Sequence, residues 1–485
     1  MDGRPLNRLP QNVTSQRNTG ARERLVALLL VAGAGVVAAV SARTYAGSWN
    51  DGSRLATVES LVERHTLIID DSIFVQVPKA ADATAPLPYP RDQPDLLQHG
   101  TRDRLLVNGH FYSDKSPVPA VFLAAWYQGL RWATGLSARG QPDRFCYWMT
   151  LGSSGLAYVV AVWCIFQLGR PLQLDLSLRV MLAASFGLAT VAPTYVRHVN
   201  NHILLLSVAA ALLLGLARLA EETRAGQRSA RRLVGLGTLA GLGYTIDLGA
   251  GPLLLVGTLA VVASRCRRFA AVAACGLAAL PWMGLHHAIN YLIGGTLWPA
   301  NAVPEYVTWA GGAFGPENMT GFWQHQSVAH FLTYAAALLV GKRGFLGHNL
   351  PLYLALPAVL TLLRQRPRET AEIVFAAGWC AAAWLVYAAT SNNYSGVCAS
   401  IRWFVPLLAP GYFVLGIWLR DHPGARVEFS VLSVWGLVVS ALMWWQGPWM
   451  EHMVPFFWPL NAAALGSWVV CWGWQRLYVP FGGQR

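Results

Sequence analysis

Asp51 and Lys115 stand near the two ends of the longest polar interval that precedes the main run of apolar segments, between Trp49-Asn50-Asp51-Gly52-Ser53-Arg54 and Tyr112-Ser113-Asp114-Lys115-Ser116-Pro117. A carboxylate and an ammonium group at the level where a membrane gives way to water suit proton acceptance and anion binding, which points to chemistry on a lipid-linked phosphate. Arg54, His110, Tyr112 and Asp114 share the interval, and Arg144 opens the next apolar span. Asn200-Asn201-His202 enters a later span in the same way, and Arg402 follows the polar run Ser391–Gly396. An arginine there forks two phosphate oxygens or anchors a helix. Asp51 has a plain structural use as a helix cap, and Lys115 as a snorkelling cation beside Asp114. Residue type alone leaves both readings open. Asp247, after Tyr244, reads as a structural polar contact before a catalytic one. His202 has no second ligand at metal spacing. The chain has no phosphate loop, zinc-binding helix motif or nucleophile elbow, which speaks against a nucleotide-driven enzyme and a metalloprotease.

The elements that must position these groups follow from composition. The chain has 485 residues, 54% hydrophobic and only 13% charged, where a globular average is about a quarter charged. Several apolar runs approach the roughly 20 residues that cross a bilayer. Backbone polar groups in hydrocarbon must be paired internally, and runs this long exclude barrel strands, so the fold class is an all-α polytopic membrane protein. The net charge of +13 is read as arginine collected in cytoplasmic loops, with no nucleic-acid partner. Seven scattered cysteines form neither a disulfide framework nor a metal spacing.

Residues 1–23, with Arg4, Arg8, Arg17 and Arg22, read as a basic cytoplasmic tail. The first span, 25–43, is taken as a retained anchor, not a cleaved signal. Residues 53–66 place Leu55, Val58, Leu61 and Val62 on one face and predict an amphipathic helix lying along the interface. Five prolines between 72 and 104 predict an irregular loop. The segment 117–134 is ambiguous by itself. Treating it as a surface helix puts Arg170, Arg224–Arg232, Arg265–Arg268, Arg364–Arg368 and Arg420–Arg426 on the side of the N-terminal tail, as basic loops require. The same parity makes 329–348 a second interfacial segment. About twelve spans result: 25–43, 145–168, 178–196, 203–219, 233–249, 250–264, 269–289, 349–363, 370–390, 401–419, 428–446 and 457–474. The chain divides into the tail, a catalytic membrane module over 24–289 with its large outer loop 44–144, an outer loop with an interfacial helix over 290–348, and C-terminal transmembrane helices over 349–485. Trp444, Trp445, Trp449 and Trp458 read as an interfacial belt.

Asp51-Gly52-Ser53-Arg54-Leu55-Ala56 resembles the Asp-(Glu)-x-Arg-Tyr-Ala opening of the first outer loop in the GT-C superfamily of membrane glycosyltransferases. Tyr112-Ser113-Asp114-Lys115-Ser116-Pro117, preceded by Asn108-Gly109, resembles that superfamily's Tyr-Phe-(Glu/Asp)-Lys-Pro-Pro motif. The branch is that of protein O-mannosyltransferases and lipid A aminoarabinose transferases, whose Pro-Arg-Tyr-Leu-Val-Pro-Leu stretch is similar to Ser400–Leu407. The resemblance implies a GT-C-like fold and transfer of a hexosyl or pentosyl group from a polyprenyl-phosphate donor to a hydroxyl acceptor, with inversion. It implies a bacterial inner membrane, an active site on the periplasmic face, and a glycan, lipid or protein acceptor. It makes Asp51 the proton acceptor and sets the donor phosphate near Lys115, Arg402 and Arg144, with Arg54, His110, Tyr112, Asp114, Asn201 and His202 in the binding site. Two positions depart from the pattern. Gly52 stands for an acid, and Asn201-His202 for a second-loop acid, so fewer carboxylates remain for a divalent cation and no cofactor is assigned. The alternative, a non-catalytic transporter or a binding or assembly protein for lipid-linked glycans, predicts polar residues and broken helices near the bilayer midplane. The chain concentrates its polar groups at the outer boundary instead.

Overall fold

A computed structural model describes residues 11–478 apart from 83, 228, 317–318 and 450–452, with side chains from Gly20 onward. Arg4 and Arg8 of the expected tail lie outside the described residues, as does the side chain of Arg17. Helix α1 already runs from Gln11 to Ser41, longer than the expected span. The outer loop contributes α2 (Trp49–Glu63), α3 (Pro94–His99), the hairpin β1 (Arg104–Val107) and β2 (His110–Ser113), and α4 (Pro117–Thr134). Next come α5 (Pro142–Thr150), a π-helical turn over Leu151–Gly155 and α6 (Leu156–Leu168), which together form one long span. Then follow α7 (Leu176–Leu188), the short α8 (Ala192–Tyr195), α9 (Asn201–Arg224), α10 (Ala230–Ile246), α11 (Gly251–Cys266) and α12 (Phe269–Gly294). The second outer segment holds α13 (Pro304–Val307) and α14 (Val328–Val340), before α15 (Ala355–Gln365), α16 (Thr370–Thr390), α17 (Leu408–Asp421), α18 (Ala425–Gln446) and α19 (Phe457–Tyr478).

A helix occupies each of the twelve expected spans. Among the described residues seven are long and apolar enough to cross a membrane, and shorter apolar helices stand beside them. The chain is an integral, multi-pass, all-α membrane protein. Its main core packs α6, α7, α9, α10, α11, α16 and α17 through Leu, Ala, Val and Phe. The 13 residues of α14 span only about 20 Å at 1.5 Å each, short of a roughly 30 Å hydrocarbon core.

A second core lies in the outer loop. Leu55, Val58 and Val62 of α2 pack with Leu123, Ala124 and Tyr127 of α4, Phe145 and Met149 of α5, and Ile69, Phe74 and Tyr89 from the irregular stretch. The helix expected at 53–66 begins earlier, at Trp49, and the rest of the loop buries it on nearly all sides from Asn50 to Ser60. Amphipathic reasoning sends Glu59 to solvent, yet its carboxylate is fully buried. It accepts hydrogen bonds from Ser72 Oγ (2.5 Å), Ile73 N–H (3.1 Å) and Arg64 Nη1 (3.1 Å). Burial raises the Glu59 carboxyl above its usual range, against the hydrogen bond from Ser72 and the charge of Arg64. Breaking such a buried set costs about 3 kcal/mol. Glu59→Ala should lower the thermal unfolding temperature in detergent while the helix signal of the spans is retained.

The loop 72–104 contains α3, and the hairpin follows it. Asn108 (φ 52°) and Gly109 (φ 84°) make its turn, the Asn-Gly pairing that a two-residue turn with positive φ at both positions favours. Register pairs Arg104 with Ser113 and Val107 with His110. Just past the open end of the hairpin, Asp103 and Asp114 are therefore brought side by side.

Candidate active site

Five segments meet at one end of the spans. Lys115 Nζ lies 2.6 Å from Asp103 Oδ2 and 2.6 Å from Asp114 Oδ2, held between the two acids that the hairpin register pairs. Ser53 of α2 ties this clamp down, donating to the Asp103 carbonyl (2.5 Å) and sharing a hydrogen bond with Ser113 Oγ (2.6 Å). One residue on, Arg54 Nη2 donates to Asn201 Oδ1 (2.8 Å), and Asn201 Nδ2 donates to the Ile246 carbonyl (3.2 Å). This joins α2 to the start of α9 and the end of α10. Burial pulls the Arg54 guanidinium down to about 10, with Asp114, Asp103 and Asp51 opposing the fall and Arg402 adding to it. Arg54 thus stays charged at neutral pH, within electrostatic reach of all four. Burial also raises the Asp114 carboxyl, chiefly against the charge of Lys115.

On the span side, Asp247 Oδ1 accepts Tyr387 Oη (2.6 Å) and the N–H groups of Gly249 and Ala250 (2.9 Å each). Its other oxygen lies 3.4 Å from His202 Nδ1. Arg402 begins the turn before α17; its N–H donates to Ser395 Oγ (3.1 Å) and its guanidinium lies 5.7 Å from the Trp449 ring centre. Among the described ion pairs Arg402 has no carboxylate, and Nε of both Arg402 and Arg54 is buried without a hydrogen-bond partner, as it also is in Arg43, Arg64, Arg104 and Arg197.

Asp51 sits in the first turn of α2, one turn before Arg54. Ser48 caps the helix, accepting from Asn50 N–H. Asp51 accepts Gly47 N–H at Oδ2 (2.7 Å) and Ser48 Oγ at Oδ1 (2.5 Å), and His198 Nδ1 lies 3.2 Å from Oδ2. The side chain is 1% exposed. Sequence reasoning set the capping use and the chemical use of Asp51 against each other; Ser48, and not Asp51, is the N-cap, and the Asp51 carboxylate, bonded to Gly47 N–H and Ser48 Oγ, is closed to an incoming hydroxyl.

Of the other expected residues, Arg54, Asp114, Lys115, Asn201, His202 and Arg402 belong to this cluster. Three do not. His110 is exposed, its Nδ1 2.8 Å from Asp70. Tyr112 packs with Leu67 and Val107, and Arg144 is exposed on the first turn of α5. Helix α5 begins at Pro142, and among the described residues Arg144 makes no hydrogen bond or ion pair with the cluster. Sequence reasoning missed Asp103, whose signal was the Asn-Gly turn, and His198, for which the sequence holds no signal. Trp449 was assigned to the lipid interface but turns inward beneath Arg402, whereas Trp445 and Trp458 are exposed as a belt requires.

Gly52 also acquires a reason. A Cβ there would stand 2.2 Å from Tyr89 Oη, which donates to the Phe74 carbonyl (2.9 Å). The space that an acid would use after Asp51 is filled by a tyrosine of the irregular loop. Gly52→Ala should therefore cost about 1–3 kcal/mol by overpacking, read as a lower unfolding temperature, and Tyr89→Phe in the same chain should recover part of it.

Among the described residues no group of three or more His, Cys, Asp or Glu side chains is placed to hold a metal ion. The donors present do not fit a bound divalent cation, and no step is routed through one.

No family model and no curated protein matches the sequence. Among solved structures the chain is similar to ArnT from Cupriavidus metallidurans bound to undecaprenyl phosphate, at 13% identity and a TM-score of 0.48, over 92% of this chain and 75% of that one. It is also similar to the same protein in the apo state, at 15% identity and a TM-score of 0.47 with the same coverage. A third likeness is to the Archaeoglobus fulgidus oligosaccharyltransferase in the apo form, at 13% identity and a TM-score of 0.44, over 94% of this chain and 58% of that one.

Proposed function

We propose that the chain is a membrane glycosyltransferase that moves a sugar from a polyprenyl-phosphate donor to a hydroxyl acceptor on the outer face of the membrane. The observation that carries the reading is the pair Arg54 and Arg402. Two guanidinium groups lie within electrostatic reach of each other in one polar cluster at the ends of the spans, and Arg402 has no ion-pair partner among the described residues. A phosphate monoester or diester supplies the missing acceptors and the missing charge, and guanidinium geometry suits it. Lys115 adds a third cation whose charge is held in place by Asp103 and Asp114.

In the proposed reaction the acceptor oxygen attacks the anomeric carbon from the face opposite the phosphate. The bond between that carbon and the phosphate oxygen breaks, the configuration inverts, and the lipid phosphate leaves with its charge on Arg54 and Arg402. The hydroxyl proton is taken up toward Asp51. Fixed cations at a departing oxyanion in a dry site contribute about 3–4 kcal/mol each, so no nucleotide is needed.

Binding of undecaprenyl phosphate and of undecaprenol, which lacks the phosphate, tests the site directly. In nanodiscs, native mass spectrometry should show retention of the phosphate form by the wild type and its loss in Arg402→Met. Equal retention of the alcohol and the phosphate would count against the reading.

A further inference from the structure

Asp51 carries the proton step in the reading above, yet its carboxylate does not open onto the site. Both oxygens accept hydrogen bonds from within the cap, from Gly47 N–H and Ser48 Oγ. The nearest ring is that of His198, on the connection between α8 and α9, with Nδ1 3.2 Å from Asp51 Oδ2. That imidazole lies between Tyr45 (ring centres 5.9 Å apart) and Trp449 (6.3 Å). Its Nδ1 is buried 3.2 Å from Asp51 Oδ2 without a hydrogen bond in this geometry, whereas its Nε2 makes no hydrogen bond among the described residues and is not among the sealed, unpartnered atoms. Arg402 lies over the same Trp449 ring. Asp51, His198, Trp449 and Arg402 therefore form a continuous path from the helix cap to the proposed phosphate site. Gly47 closes the path from behind: a Cβ there would stand 2.6 Å from His198 Cε1, 2.7 Å from its Nε2 and 2.7 Å from Trp449 Cδ1.

We infer that His198 Nε2 receives the acceptor's proton, with Asp51 behind it as a positioning carboxylate. The inference rests on the glycosyl-transfer reading. As the acceptor oxygen bonds to the anomeric carbon, its O–H bond breaks and the proton moves to Nε2. The electron pair of the breaking glycosidic bond leaves with the lipid phosphate. The Asp51 carboxylate, 3.2 Å from Nδ1, stabilises the imidazolium that forms, and the proton then passes to water or to the departing phosphate. An imidazole is the side chain best suited to accept a proton in this way. The charged and titratable groups around it are Asp51 from α2, Tyr45 from the turn after α1, Arg197 next in sequence and, across the Trp449 ring, Arg402. A second carboxylate–imidazole pair is Asp247–His202, from the end of α10 and the first turn of α9. Its acid is already engaged by Tyr387 and two backbone N–H groups, and neither residue hydrogen-bonds to Asp51.

The test is transfer by the full chain in nanodiscs from a polyprenyl-phosphate sugar, followed between about pH 5 and 9. His198→Gln should lower kcat by about 100-fold or more, leave KM for the donor and retention of undecaprenyl phosphate unchanged, and abolish the acidic limb of the kcat profile. The double variant with Asp51→Asn should be little worse than either single one, because the two act as a unit. Gly47→Ala, which pushes the ring without removing it, should lower kcat and shift the acidic limb. If His198→Gln does not insert, Gly47→Ala carries the test. Transfer by His198→Gln within threefold of wild type, or an unchanged limb in Gly47→Ala, overturns the role of His198 and leaves the transferase reading standing. Absence of transfer by the wild type overturns both.

Discussion

Asp51→Asn should reduce sugar transfer by about 10²–10⁴-fold, the range of a lost proton-accepting function, while the protein remains folded and inserted. The fold survives because an asparagine oxygen still accepts one of the two cap hydrogen bonds that Asp51 takes from Gly47 and Ser48. Loss of the other costs about 1 kcal/mol, as cap substitutions do. The catalytic loss is far larger than the structural one because the negative charge beside His198 disappears from a site that is 1% exposed. Initial rates in nanodiscs and the thermal unfolding temperature of the same preparation separate the two effects. A variant that unfolds several degrees earlier yet transfers within threefold of wild type would reduce Asp51 to its cap.

Arg402→Met carries the second large effect. Its guanidinium has no ion-pair partner among the described residues and an unpartnered Nε, so removing it breaks no salt bridge and leaves no acid uncompensated. The loss should fall almost entirely on the phosphate. At about 3–4 kcal/mol for a cation at the departing oxyanion, kcat/KM drops by roughly 10²–10³. Arg402→Lys should recover only part, since an ammonium group is a point charge and cannot fork two oxygens. The measurement is kcat/KM for the donor in the three proteins. Lysine equal to arginine would remove the forked contact, and methionine equal to wild type would remove the phosphate from this end of the cluster.

The membrane architecture was legible because two independent signals agreed. Apolar length marks the spans, and the arginine loops force 117–134 and 329–348 out of the count. Helix α4 then appears with the expected bounds, Pro117–Thr134. Half of the candidate site was legible for a similarly local reason: Asp51 and Arg54 are one helical turn apart, and Asp114 and Lys115 are adjacent. The remainder depends on tertiary contacts. His198 reaches Asp51, and Asp247 reaches His202, across segments that share no sequence pattern. Asp103 could have been found, because Asn108-Gly109 signals a hairpin whose register sets it beside Asp114. The amphipathic pattern of α2 misled because Glu59 is paired inside a second core and not solvated. Gly52, which looked like a lost acid, instead makes room for Tyr89. Arg144, His110 and Tyr112 were drawn in by proximity along the chain, and the start of α5 and the hairpin carry them elsewhere.

The central claim is that the polar cluster around Arg54, Arg402 and Asp51 cleaves a sugar from a lipid phosphate. Its most direct test is to incubate purified wild-type protein in nanodiscs with a radiolabelled polyprenyl-phosphate sugar and an envelope lipid or glycan extract as acceptor. Both the free lipid phosphate and the acceptor-bound label are then measured. Stoichiometric appearance of lipid phosphate and glycosylated acceptor, lost in Asp51→Asn and Arg402→Met, is the predicted result. Donor that is bound and returned intact, with no lipid phosphate formed against any acceptor fraction, would contradict it.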